Sequence, residues 1–109
     1  MPRPPDSLQG TLDLLILKTL ETEPNHGFGI VTHIQSVSDG LLRVEEGSLY
    51  PALHRLQREK LLKAEWKITQ NGRRARYYRL TPAGRKRLEA TQESWSTLMK
   101  GVGKVLRFA

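Results

Sequence analysis

Hydrophobic residues in the first 40 residues of the chain recur every three or four positions, a spacing that predicts two helices. The first extends from a Thr11 cap to Glu21, and its apolar residues cover more than one face, so it should be buried on two sides. The second extends from about His26 to Ser38, and Asp39-Gly40 is typical of a helix end. Residues 41–44 form an apolar link with the composition of a short strand.

A third helix is predicted to begin at Ser48 as its N-cap, with Pro51 in the first turn, where its missing N–H is tolerated. Leu49, Leu53 and Leu56 recur at helical spacing and predict one face in the core. The opposite face is polar and carries Tyr50, His54, Gln57 and Arg58, with Arg55 at its edge.

The period changes from helical to alternating after the third helix. Residues 62–69 alternate apolar and polar side chains, as in a half-buried strand. Asn71-Gly72 is a strong hairpin signal and predicts a type I′ turn, in which both central residues have positive φ. Arg74 to Leu80 is the predicted partner strand, with Tyr78 and Leu80 facing the core.

The last predicted helix has Thr81 as its N-cap and Pro82 at its first position. Its apolar seam has no other segment of the chain to pack on, which favours a two-fold dimer, although Gly101 and Gly103 weaken its last turns. The first helix also needs a second covering surface. The predicted dimer interface comprises Leu12, Leu15, Leu88, Thr91, Trp95, Leu98, Val102 and Val105.

Positive charge is concentrated between Arg55 and Arg87. This stretch carries twelve Lys or Arg residues against two acids, and the whole chain has a formal net charge of +7. A field of one sign destabilises a small protein by self-repulsion, so it is expected where a polyanion supplies the counter-charge. A solvated surface is the plainer interpretation, but this charge coincides with a helix and a hairpin. The pattern therefore favours binding to double-stranded DNA.

Three helices followed by a basic hairpin predict a mainly α (α+β) fold, the winged helix-turn-helix. Helix 48–60 should enter the major groove, and the hairpin tip 69–76, here called the wing, should reach the DNA backbone. Tyr50 has an alternative role as a core or interface aromatic. The residues predicted to bind DNA are Ser48, Tyr50, Pro51, His54, Arg55 and Arg58 in the groove, and Arg73, Arg74 and Arg76 at the backbone.

Other classes of function have little support in the composition. The chain has no cysteine, and its three histidines lack metal-ligand spacing, so we expect no metal site. No nucleophile-elbow motif surrounds Ser48, so we expect no enzymatic activity, and no cofactor is predicted. Neither a signal segment nor an apolar run long enough to span a membrane is present. A cytoplasmic location is the expectation.

Trp95 has two interpretations. A large apolar side chain at a helix seam is most simply a filler of the interface. Small neighbours, Ser94, Ser96 and Thr97, could instead leave a slot between paired indoles at a dimer centre. Such a slot would stack a planar aromatic effector, which makes Trp95 a candidate ligand platform.

Four motifs together resemble the PadR family of bacterial transcriptional regulators. They are GTLDLLIL (10–17), HGFGI (26–30), GSLYPALHRL (47–56) and GRRARYYRLTPAG (72–84). The resemblance implies a homodimeric winged-helix repressor in which Tyr50 and the wing meet DNA and the final helix pairs subunits. Glu93-Ser94-Trp95-Ser96 is similar to the context in which some compact members bind flat drugs. Phe28 departs from the tyrosine that the family often has there.

The sequence therefore predicts an N-terminal arm (1–9), a winged helix-turn-helix domain (10–81) and a C-terminal dimerisation helix (82–109). The expected function is a homodimeric, sequence-specific repressor that binds a palindromic operator and is released by a planar aromatic effector. Two alternatives remain: a multidrug-sensing protein built on Trp95 with secondary DNA affinity, and a nonspecific nucleic-acid-binding protein.

Overall fold

The computed structural model describes residues 8–107. Of the predicted arm (1–9), residues 1–7 lie outside them, and residues 8 and 9 belong to the first helix instead. Four helices and three strands form the described part of the chain. They are α1 (Leu8–Thr19), β1 (Asn25–His26), α2 (Gly27–Val37), α3 (Glu46–Arg58), β2 (Leu62–Ile68), β3 (Arg74–Leu80) and α4 (Pro82–Leu106). The strands form one sheet in the order β1-β3-β2. No helix in the range 8–107 is long and apolar enough to cross a membrane.

One hydrophobic core joins all four helices to the base of the sheet. Leucines and isoleucines of α1, α2 and α3 pack there with Leu62, Tyr78 and Leu88 from the hairpin and α4. Burial of these apolar side chains is the main stabilising contribution. α1 begins at Leu8 and ends at Thr19, so the predicted Thr11 cap and the end at Glu21 are wrong. α2 lies within one residue of its predicted bounds at each end.

The start of α3 differs from the prediction. Its N-cap is Glu45, and the Glu45 carbonyl accepts the N–H groups of Ser48 and Leu49, both at 3.0 Å. Ser48 is therefore inside the first turn and is not the cap. Pro51 is the sixth residue of α3 and lies inside the helix. Because proline has no N–H, it cannot donate a hydrogen bond to the carbonyl of Gly47, four residues earlier. The motif at 47–56 is helical throughout.

The third strand lies elsewhere than expected. Residues 41–44 are irregular, and β1 forms instead at Asn25–His26, where Asn25 pairs with Tyr78 and His26 with Tyr77. A two-residue strand has no hydrophobic period of its own. It exists because β3 offers an unpaired edge at this place, which is a tertiary effect.

The β2–β3 hairpin has the predicted strands but a different turn. Leu62 pairs with Leu80, Trp66 with Arg76 and Ile68 with Arg74. Gly72 has a φ of 76°, whereas Asn71 is not among the residues with positive φ, so the turn is not type I′. The Gly72 N–H donates to the Thr69 carbonyl at 2.9 Å, and the Thr69 N–H donates to the Arg73 carbonyl at 2.7 Å. These bonds close the three-residue loop that needs glycine at its last position.

The start of α4 is as predicted. The Thr81 hydroxyl accepts the Gly84 N–H at 3.0 Å, and Pro82 occupies the first helical position. The same hydroxyl donates to the Lys60 carbonyl at 2.7 Å. Thr81 therefore joins the end of α3 to the start of α4, and the hairpin extends from this joint.

Candidate nucleic-acid interface

α3 presents one exposed stripe opposite its buried face. Gly47, Pro51, His54 and Arg58 follow one another at steps of four, three and four residues, and all are exposed. Leu49, Ala52, Leu53 and Leu56 form the buried face. The major groove of B-DNA is wide enough to admit an α-helix that carries such a stripe. Of the predicted groove residues, Ser48 is also exposed but lies to the side of this stripe.

Arg55 is held inside the protein. Its Nη1 and Nη2 atoms donate to the two carboxylate oxygens of Asp13, each at 2.7 Å, and Nη1 is 3.8 Å from a carboxylate oxygen of Glu59. The hydrogen bond to Asp13 raises the pKa of Arg55 above its ordinary value. A bidentate carboxylate occupies the donors that would read a base. Arg55 thus ties α3 to α1, and Arg58 is the arginine that α3 presents outward.

Tyr50 lies across the beginning of α2. A Cβ atom at Gly27 would be only 2.6 Å from the Tyr50 hydroxyl oxygen, so glycine is required for the ring to occupy this place. The Tyr50 side chain is nevertheless 40% exposed. Its hydroxyl end therefore lies close to Gly27, and part of the ring surface remains open to a partner. No local sequence pattern linked Tyr50 to Gly27.

The junction of β1 and α2 is fixed by His26. Its Nδ1 atom accepts the Gly29 N–H at 3.0 Å as the N-cap of α2, and its ring meets Tyr77 edge-on with 5.1 Å between centroids. His26 therefore caps α2 through its side chain. This contact holds the helix-turn-helix against β3, which fixes the angle between α3 and the hairpin.

The wing arginines have different surroundings. Arg73 and Arg74 are exposed, whereas Arg76 is half-buried and its Nη2 atom lies 3.3 Å from the Gln57 Oε1 atom of α3. Arg74 and Arg76 both lie over the indole of Trp66. Sequence reasoning missed this role, because alternation placed Trp66 with the core residues Leu62 and Ala64. The three arginines extend the positive surface of α3 outward along the hairpin.

The seam of α4 is buried only at its beginning. Leu88 is fully buried and Trp95 half-buried, and α4 packs on α1 over this stretch. Beyond it Leu98, Val102 and Val105 are exposed, the last to 80%. The Trp95 Nε1 atom is buried without a hydrogen-bond partner among the described residues. Buried indole N–H groups usually have a partner, so this end of α4 has the properties of an incomplete surface.

Comparison with known proteins agrees with this architecture. The profile of the transcriptional regulator PadR-like family matches residues 16–90. The chain belongs to the PadR-like family of transcriptional regulators. The resemblance drawn from the four sequence motifs is therefore confirmed.

Individual relatives support the family and the fold. A PadR-like transcriptional regulator from Bacillus cereus is 32% identical, with a TM-score of 0.79, and the match covers 91% of this chain and 94% of that one. A transcriptional regulator from Clostridium thermocellum is 30% identical, with a TM-score of 0.80 and coverage of 89% and 91%. A transcriptional regulator of Mycobacterium tuberculosis is 41% identical over 68 residues, which are 62% of this chain and 63% of the relative.

Family membership settles the class of function. PadR-like proteins are DNA-binding transcriptional regulators with a winged-helix fold and not enzymes, as expected for this chain. The PadR-like regulator described here has the family's α+β architecture, with α2 and α3 as the helix-turn-helix and the β2–β3 hairpin as the wing-bearing element.

Proposed function

We propose that this PadR-like regulator is a homodimer that binds a palindromic operator and represses transcription in the cytoplasm. The observation that carries the proposal is the outward stripe of α3 beside the wing arginines. Arg58 of this stripe and the wing residues Arg73 and Arg74 are exposed, whereas the second arginine of α3, Arg55, is already bound to Asp13. Exposed N–H donors suit the phosphates and base edges of DNA.

Each part of this surface has a stated role. Pro51, His54 and Arg58, with Tyr50 and Ser48 at the sides, face the major groove, where Arg can bind guanine with two hydrogen bonds. Arg73, Arg74 and Arg76 bind phosphates or the adjacent minor groove. Arg55 acts through the position of α3 and does not touch DNA. The two copies of α3 in a dimer should lie about 34–36 Å apart, one turn of the double helix.

Dimer formation is proposed to use α4 together with α1. Leu98, Val102 and Val105 are exposed at the far end of α4, and Leu12 and Leu15 of α1 are only partly covered by the core. Leu88 is already fully buried in the core of its own subunit, so it offers no surface to a partner. Thr91 and Trp95, both half-buried, continue the exposed line toward the body of the domain. A two-fold pairing would bury this line against its own copy. Sedimentation equilibrium at micromolar concentration tests it, and a lone subunit would contradict it.

Selection of bound sites from random DNA tests the proposed operator. We expect an inverted repeat with half-sites one helical turn apart. Arg58→Ala should then weaken binding to the selected site about tenfold or more, because a bidentate base contact contributes about 1–3 kcal/mol. Arg79→Ala is the matched control, since Arg79 is exposed on the hairpin face opposite to Arg76. Equal losses for both variants would indicate charge alone and support a nonspecific binder.

Tyr50→Ala separates base reading from general affinity. We expect it to weaken binding to the selected site far more than binding to random duplex, because the proposed role of the exposed ring is to contact bases and not phosphates. Equal losses on the two duplexes in one titration would remove Tyr50 from the base-reading surface.

A second proposed function concerns an effector at Trp95. The support is its buried, unpartnered Nε1 atom beside the exposed end of α4. A planar aromatic effector would stack on this indole and release the operator. Quenching of indole fluorescence by planar aromatic cations in a Trp66→Phe background tests it. Unchanged fluorescence would leave Trp95 as a packing residue only, and tight ligand binding with weak DNA affinity would favour the drug-sensing alternative.

A further inference from the structure

The two faces of the β2–β3 hairpin differ in composition toward the tip. Alternate residues of a strand point to opposite faces. One face carries Leu62 and Tyr78 at its base and Trp66, Arg74 and Arg76 toward the tip. Arg76 reaches Gln57 of α3 from this face, so this face of the hairpin is turned toward α3. Trp66 is 55% exposed there, beyond the end of the core.

A continuous row of contacts connects α3 with the wing along this face. The Gln57 side-chain oxygen is 3.3 Å from Nη2 of Arg76. The Cζ atom of Arg76 lies 5.9 Å from the Trp66 ring centroid, and that of Arg74 lies 4.8 Å from the same centroid. The order is thus Gln57, Arg76, Trp66, Arg74. Both arginines are within the distance at which an aromatic face attracts a cation.

Stacking suits an arginine that must bind a phosphate. A guanidinium group that stacks on an indole keeps the N–H donors in its own plane available for a phosphate. An exposed arginine otherwise loses rotamer freedom when it binds, and a preformed orientation reduces that loss. The indole therefore holds the Arg74 side chain ready without occupying its donors.

We propose that Trp66 is a positioning residue for DNA binding, which presents Arg74 to the DNA backbone in the space between α3 and the wing. The inference rests on the proposed function of α3 and the wing, and it assigns a role to a residue outside both. Arg73 provides the internal comparison. It is the neighbouring wing arginine and is also exposed, but within residues 8–107 it does not stack on an aromatic ring.

A double-mutant cycle on the selected operator tests the proposal. The variants are Trp66→Leu, Arg74→Gln and the double variant, with Arg73→Gln in the same two backgrounds as the control. Cation–π stacking at exposed sites corresponds to about a two- to fivefold effect on affinity. We expect Arg74→Gln to weaken wild-type binding by that much more than it weakens the Trp66→Leu variant. Arg73→Gln should have the same effect in both backgrounds.

Trp66→Phe separates stacking from packing. It keeps an aromatic face, so it should retain most of the coupling to Arg74. Additive effects of Trp66 and Arg74, or equal coupling of Trp66 to Arg73 and to Arg74, would overturn the proposal. If Trp66→Leu weakens binding regardless of residue 74, the indole acts directly on DNA, which also contradicts a positioning role.

An NMR measurement on the free protein tests the stacking of Arg74 on Trp66 separately from the proposed DNA binding. Ring currents should shift the Arg74 Hδ proton resonances upfield in the free protein. The shift should persist in Trp66→Phe and vanish in Trp66→Leu. Absence of the shift in the wild type would overturn the stacking itself. A normal shift with no loss of affinity on Arg73→Gln or Arg74→Gln would overturn the wing's role in DNA binding instead.

Discussion

Side chains alternate between the two faces of the β2–β3 hairpin at both its base and its tip, but those of one face are buried at the base and exposed toward the tip. On this face, Leu62 and Tyr78 at the base are 1% and 2% exposed, whereas Trp66 and Ile68 toward the tip are 55% and 66% exposed. The strand period decides which face a side chain points to. Packing against the helices decides whether anything covers it, and the core includes Leu62 and Tyr78 but neither Trp66 nor Ile68.

The two regions also differ in how they are joined to the rest of the molecule. At the base, the Leu61 carbonyl accepts the Thr81 N–H at 3.1 Å and lies against Gly84 of α4. Toward the tip, Arg76 bonds to Gln57 of α3. The base is therefore part of the core, and the proposed function assigns the tip to contact with DNA.

The largest expected effect is at the base. Leu62→Ala should lower the free energy of unfolding by about 2–5 kcal/mol, because it leaves a cavity in a fully buried site. Ile68→Ala, on the same strand and face, should change it by less than about 0.5 kcal/mol, since Ile68 is exposed. Urea denaturation measures both. Similar losses would show that the tip is packed in solution.

A substitution at the joint between the hairpin and α4 should lower the free energy of unfolding nearly as much. Gly84→Ala would drive a Cβ atom into the Leu61 carbonyl, and overpacking of this kind costs about 1–3 kcal/mol. Gly103→Ala on the same helix meets open space and should raise stability by about 0.5–1 kcal/mol through helix propensity. Thermal unfolding of the two variants should shift in opposite directions. A shift in one direction for both would contradict the close approach at Gly84.

A smaller effect on the free energy of unfolding should appear at alkaline pH. Burial raises the pKa of Tyr78 above its ordinary value of about 10. A raised folded-state pKa means that the stability is fully present below the unfolded pKa and is lost as pH rises through the folded pKa. Urea denaturation of the wild type between about pH 8 and pH 11 should therefore show a steeper decline than Tyr78→Phe. Parallel curves would indicate that Tyr78 ionises as readily in the folded protein as in the unfolded chain.

The smallest effect on stability, and a clear effect on binding, is expected at the tip. Arg74→Gln should leave unfolding unchanged, because Arg74 is exposed. It should reduce the slope of log affinity against log salt by about 0.9 if one phosphate contact is lost. An operator titration at several salt concentrations gives the slope. An unchanged slope would take Arg74 out of the DNA contacts.

Several elements could be predicted from local pattern alone. The hydrophobic spacing placed α2 within one residue, and Thr81 with Pro82 gave the start of α4, because a cap and a proline act within one turn. The start of α3 was placed too late, since a backbone carbonyl at Glu45 and not a side chain begins that helix. Asn71-Gly72 marked the turn but not its type, which depends on how the strands pair around it.

The candidate interface was predictable as a region but not residue by residue. The clustering of charge and the PadR-like motifs both placed it on α3 and the wing. Sequence treated Arg55 and Arg58 alike, yet the carboxylate that binds Arg55 lies 42 residues away in Asp13. The proximity of Tyr50 to Gly27 and the pairing of β1 with β3 likewise join residues that are far apart in the sequence.

The amino-acid sequence by itself determined the helices, the hairpin, the basic surface and the family, because each depends on neighbours within a few positions or on a local motif. Tertiary structure alone decided which arginines already have a partner, where the core stops along the hairpin and which aromatic residue lies beneath Arg74. These depend on groups brought together from distant positions, and no spacing along the chain encodes the distance between them.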